Sequence, residues 1–153
     1  MKPIILDVEA SGLHPDSYPI QIGWVELGGN AFDSFYIRPH YSWTYWSVLA
    51  EDVHGISIET LDKEGLTPEE ACDRLIRRLG DRSIYTDQPA FDGFWLDRLF
   101  ETVEYKTRLR ECQHVSRLVK ADQAPALLDA LTGLNLIHDA LDDARRIATL
   151  ITG

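Results

Sequence analysis

PIILDVEASGL, Pro3 to Leu13, is the stretch on which the fold turns. Ile4, Ile5 and Leu6 run straight into Asp7-Val8-Glu9, and Gly12 closes the segment. A short apolar run bounded by a turn residue reads as a buried strand. Side chains two positions apart share a strand face, so Ile5, Asp7 and Glu9 lie together and Val8 points the other way. Two carboxylates that close repel each other, and one pKa rises unless a cation compensates. Acidic pairs at strand ends are also common and mostly solvated, so the pair alone leaves both readings open.

The segments that follow give this strand its neighbours. YPIQIGWVEL, Tyr18 to Leu27, alternates Ile20, Ile22 and Trp24 against Gln21 and Gly23. After a turn at Leu27-Gly28-Gly29-Asn30, AFDSFYIRP makes a third strand ended by Pro39, which predicts an antiparallel meander. His40 to Leu61 is aromatic and irregular and reads as a loop with one short helix. Thr67-Pro68-Glu69-Glu70 is a strong helix start, with a cap, a proline and two acids in the first turn, and that helix runs to Gly80. Beyond it the sequence predicts a strand over Arg82–Thr86, a helix from Phe91 to about Glu101 and an edge strand at Lys106–Arg110. Helices are expected over 111–119, 124–133 and 138–153. Such an order implies an α/β layer fold in which a mixed sheet carries helices on its faces.

At 153 residues, 44% of them hydrophobic, the chain fits one domain, 1–153, with a sizeable core. The apolar run at Ile4 is cut short by Asp7 and Glu9, which argues against a signal peptide, and no segment reaches membrane-spanning length. A soluble cytoplasmic protein with no membrane partner is therefore expected. Cys72 and Cys112 lack the spacing of a zinc site or a disulfide framework. A net charge of −10 argues against a long-duplex binder, which needs a basic face, but is compatible with carboxylates gathered to hold divalent cations.

Two helices add acids in unexpected places. A 3.6-residue period sets Asp92 on the same stripe as Leu96 and Leu99, while Asp97 falls off it. A carboxylate there either accepts backbone N–H bonds at a helix start or serves chemistry. In HDALDDAR, His138 to Arg145, the stripe is Ala140, Ala144, Ile147, Ala148 and Ile151. Asp143 lies at its edge, Asp142 points away and Asp139 is a candidate cap. Asp7, Glu9, Asp92 and Asp143, each beside an apolar surface, make little sense as a dry unpaired group. Hard divalent ions with oxygen ligands would resolve the repulsion, and an ion pair about 4 Å apart is the arrangement that drives phosphodiester hydrolysis. His138, of a residue type with an ordinary pKa of about 6.5, is the candidate general base for the attacking water.

With LDVEASGL, PAFDGFWL and HDALDDA in this order over nearly the whole chain, and VHGIS between the first two, the sequence resembles the DEDDh family of 3′ to 5′ exonucleases, the class of ribonuclease T and the DNA polymerase III proofreading subunit. The resemblance implies a ribonuclease H-like fold, a mixed five-stranded sheet flanked by helices. It implies that Asp7, Glu9, Asp92 and Asp143 bind two Mg²⁺ or Mn²⁺ ions and that His138 is the base. It further implies that backbone groups around Ala10, Ser11, Gly12 and Leu13 hold the terminal nucleotide. The chain departs from the family pattern where Asp87-Gln88-Pro89-Ala90-Phe91-Asp92 replaces HNAxFD, and where Ala10 replaces a common threonine.

Tyr41, Trp43, Tyr45 and Trp46 resemble the rings on which single-stranded nucleic acids stack, although such rings also pack cores and subunit contacts, which leaves a homodimer open. Arg74, Arg77 and Arg78 read as a solvated helix face paired with acids. Lys106, Arg108 and Arg110, or Arg145 and Arg146, are candidates to guide a phosphate backbone. Two functions follow: a metal-dependent exonuclease acting on single-stranded 3′ ends of DNA or RNA, or a catalytically weak binding module retaining that fold. The intact five-residue set favours the first.

Overall fold

Pairing begins at Ile4–Ala10 (β1), whose residues are buried except Glu9, and a strand so enclosed must have neighbours on both edges. The computed structural model, which describes residues 1–153, supplies them. Pro19–Glu26 (β2) runs antiparallel on one side and Ile84–Thr86 (β4) parallel on the other. Phe32–Tyr36 (β3) pairs with β2, and Gln113–His114 (β5) with β4, so the sheet has the order β3-β2-β1-β4-β5. The mixed five-stranded α/β sheet and the antiparallel meander read from the sequence are both present.

Helices cover its two faces. Ile4, Leu6 and Val8 join a core with Leu75 and Leu79 of Pro68–Leu79 (α3) and with Leu96, Leu99 and Phe100 of Pro89–Thr102 (α4). Ile5 faces the opposite side, against Leu127 of Ala124–Thr132 (α5) and Ala144 and Ile147 of Ala140–Thr152 (α6). The α3 start is a capping box, Thr67 Oγ1 accepting from the Glu70 amide at 3.2 Å while Glu70 Oε1 accepts from the Thr67 amide at 2.9 Å. No helix is long and apolar enough to cross a membrane.

Three expectations need correction. In place of one short helix within 40–61 there are two helices, Val48–His54 (α1) and Ile58–Glu64 (α2), the second running past Leu61, because Ser47 and Ser57 each cap a start and Gly55, at φ 69°, ends the first. Lys106–Arg110 is not a strand: its basic side chains are exposed, and Arg108 sits over the Phe100 ring instead of presenting a ladder. The edge strand is Gln113–His114. That pairing, followed by a 3₁₀ turn over Val115–Leu118, replaces the helix expected at 111–119.

Candidate active site

Asp7 lies at the middle of β1 and Glu9 near its carboxyl end, opposite Gly23 and Gln21 of β2. Those two residues determine where α6 begins. A side chain at Gly23 would place its Cβ 2.6 Å from the Ala140 carbonyl carbon, so only glycine lets the first turn of α6 rest on the sheet. Gln21, 3% exposed, then ties it down: its Nε2 donates to Asp139 Oδ1 at 2.9 Å and its Oε1 accepts from the Ala140 amide at 3.0 Å. Asp139 caps the helix by accepting from the Asp142 amide at 3.1 Å. One turn in, Asp143 is 1% exposed and its carboxylate lies near that of Glu9 on β1.

The acids gather in two groups. Ligand atoms of Glu9, Asp143 and His138 lie within 4.8 Å of one another, and so do those of Asp7, Asp87 and Asp92. His138 Nδ1 is 3.9 Å from Glu9 Oε1, and its side chain remains 42% exposed. The residue adopts φ 59°, a left-handed conformation that histidine visits more readily than most side chains. Asp143 Oδ1 holds the approach to that turn by accepting from the Ile137 amide at 2.9 Å. Asp92 is 2% exposed, and its Oδ2 has no hydrogen-bond partner. It does not cap α4, whose start at Gln88 carries no side-chain cap.

Burial pushes the Asp7 carboxyl well above the aspartate range, with Asp92, Glu9, Asp87 and Asp143 adding repulsion. Asp92 is raised in the same way, by burial first and then Asp87. Burial, reinforced by Asp143, pushes Glu9 up to about 8. Asp87 and Asp143 also rise, chiefly through burial. Arg74, Arg82 and Arg77 are engaged elsewhere, with Asp33, Glu26 and Asp73 respectively. A set of hard carboxylate oxygens, one of them buried without a donor, fits a hard divalent cation.

The remaining candidates differ in their surroundings. Ala10, Ser11 and Gly12 are buried and Leu13 is 77% exposed. The Ser11 amide donates to the Tyr18 carbonyl and its carbonyl accepts from Ser47, so both already serve the fold. Trp43 is buried and stacked on Tyr18, Tyr45 stacks on His14, and the Trp46 indole donates to Glu51; Tyr41 alone of the four is widely exposed. Arg145 lies over Phe32 and Arg146 bonds the Asn135 carbonyl. Arg108 and Arg110 join Arg117 along a groove of about 1210 Å³ that also includes Phe94 and His114. Its His114 pairs with Thr86, the residue before Asp87.

Sequence reasoning missed Asp87, Gln21 and Gly23. The register Ile4↔Ile84 and Ile5↔Tyr85, carried two residues on, sets Asp87 level with Asp7. Only the strand pairing carries that signal, since Asp87 belongs to no periodic pattern of its own.

The exonuclease family model RNase T matches residues 4–151. No curated protein sequence matches the chain. Exonuclease I from Methylocaldum szegediense is similar in structure, with a TM-score of 0.74 at 17% identity over 99% of this chain and 40% of that one. E. coli exonuclease I in complex with a dA16 oligonucleotide gives 0.74 at 14% identity, covering 96% and 39%. A 3′-exonuclease described in 3′-end-specific recognition of a histone mRNA stem-loop gives 0.64 at 19%, covering 97% and 62%. The chain thus spans about 40% of the length of the exonuclease I chains it matches.

Proposed function

The chain belongs to the RNase T exonuclease family, and from that membership we propose that residues 1–153 act as one catalytic domain that hydrolyses phosphodiester bonds from the 3′ end of single-stranded DNA or RNA. The observation that carries this reading is the convergence of Asp7, Glu9, Asp92 and Asp143 from three separate elements into a buried acidic centre, with Asp92 Oδ2 left without a donor. Those carboxylates would hold two Mg²⁺ or Mn²⁺ ions. Bound there, the ions would supply water activation and charge stabilisation at the leaving oxygen.

The protein's own groups do the rest. His138, partly exposed and beside Glu9, accepts the proton of the attacking water. Asp143 has two roles, as a ligand and as the acceptor that orders the turn preceding His138. The turn that leads out of β1, Ala10, Ser11, Gly12 and Leu13, is where the terminal nucleotide would sit, with the exposed Leu13 side chain available to a base while the Ser11 backbone groups stay committed to Tyr18 and Ser47. Arg108, Arg110 and Arg117 steer the strand's phosphates along the groove beside α4. Reading through fold relatives, one of them in complex with an oligonucleotide, supports a single-stranded substrate.

Digestion of 5′-labelled oligonucleotides tests this. A ladder of products shortened from the 3′ end is expected with Mg²⁺ or Mn²⁺ and is lost with chelator. Glu9→Gln and His138→Ala should each lower the rate by roughly 10²-fold or more. Digestion that persists in both variants would overturn the assignment, and tight oligonucleotide binding without turnover would favour a binding module. Matched DNA and RNA strands distinguish the sugar.

A further inference from the structure

We propose that Asp87 is a metal ligand, a fifth carboxylate that joins Asp7 and Asp92 around one divalent cation. The inference rests on the reading that Asp7 and Asp92 bind such an ion. Its grounds are geometric. β4 runs parallel to β1 with Ile5 abreast of Tyr85, so the position two residues further, Asp87, emerges beside Asp7 on the same sheet face. Oxygens of Asp7, Asp87 and Asp92 all lie within 4.8 Å of one another, close enough to share one ion.

The buried oxygen of Asp92 supplies an independent pointer. Its Oδ2 is enclosed in a residue only 2% exposed and has no donor from the protein. A carboxylate oxygen left so is costly unless a cation meets it. Asp87 cannot be explained as a helix cap, because α4 has no side-chain cap and the Gln88 amide is taken by Thr86 Oγ1 at 3.2 Å. No arginine or lysine forms an ion pair with it. Three anionic oxygens from β1, the end of β4 and the first turn of α4 make a hard-donor triad at a single sheet end.

Calorimetric titration of chelator-treated protein with MnCl₂ tests the assignment without depending on turnover. Two Mn²⁺ sites are expected in the native protein. Asp87→Asn should abolish one of them or weaken it roughly tenfold or more, while leaving the other. Asp87→Glu should recover most of the affinity, since it keeps the carboxylate. Asp97→Asn, at an exposed acid of α4 one turn beyond Asp92, controls for bulk charge and should bind as the native protein does. If the amide variant does not fold, Asp87→Ser serves the same comparison. Native-like binding at both sites by Asp87→Asn would overturn the proposal and leave the active-site reading standing. Equal losses in Asp87→Asn and Asp97→Asn would overturn it as a bulk-charge effect. A native protein that binds no Mn²⁺ would overturn both.

Discussion

As the proposed base, His138 has to be neutral to take a proton; it sits in a left-handed turn just ahead of the Asp139 cap. With metal kept saturating, turnover is expected to fall on the acid side as the imidazole protonates, because an imidazolium cannot accept the water's proton. A rate that stays flat through that range would remove His138 from the role of base. Asp92→Asn should lower activity by roughly 10²-fold or more. It should also leave the metal-free fold as stable as before or more so, since the replaced carboxylate lies buried beside other acids. Thermal melts in chelator check the second half of that expectation. Asp92 was legible because the α4 periodicity set it against Leu96 and Leu99, both now found buried. Asp87 was not, because it follows a three-residue strand and its place depends on pairing with β1. Gln21 was hidden for another reason. A polar residue in an alternating strand reads as solvent-facing, whereas this one is buried by the start of α6.

At the scale of elements, the site depends on how closely α6 approaches β2. Gly23→Ala would force the Ala140–Leu141 backbone away from the sheet, costing roughly 1–3 kcal/mol by overpacking. Mn²⁺ affinity should fall as well, since Asp143 moves with the helix; urea denaturation and calorimetry together measure both. Unchanged metal binding would mean that Asp143 reaches the site without the glycine contact. Thr67→Ala is the contrasting case. Loss of the α3 cap should cost about 1 kcal/mol in the same denaturation experiment with no change in the rate per folded molecule. Elements with strong local signals, such as the α3 capping box and the apolar run of β1, could be read directly. The far edge of the sheet could not. β5 has only two residues, and the alternating basic residues at Lys106–Arg110 imitate a strand more convincingly than Gln113–His114 does.

For the whole molecule, the acids gathered at the site weaken the metal-free fold. Glu9 ionises at about 8 in the folded protein against 4.5 ordinarily, so between those values the folded state holds a proton that the unfolded chain has released. Stability from this carboxyl is therefore fully present below about pH 4.5 and is lost as pH rises to about 8. In chelator, the melting temperature should drop across this window by several degrees, on the order of 2–4 °C for each kcal/mol. Saturating Mg²⁺ should offset the drop by binding only the folded state, and Glu9→Gln should flatten it. A melting temperature in chelator that is level across the window would contradict the burial argument. The central claim is that separate parts of the chain bring their carboxylates together around a pair of divalent ions. Anomalous diffraction from crystals soaked in MnCl₂ tests it most directly. Two peaks about 4 Å apart are expected, one against Glu9 and Asp143 and the other against Asp7 and Asp92; density with no anomalous peak among these four residues would contradict it.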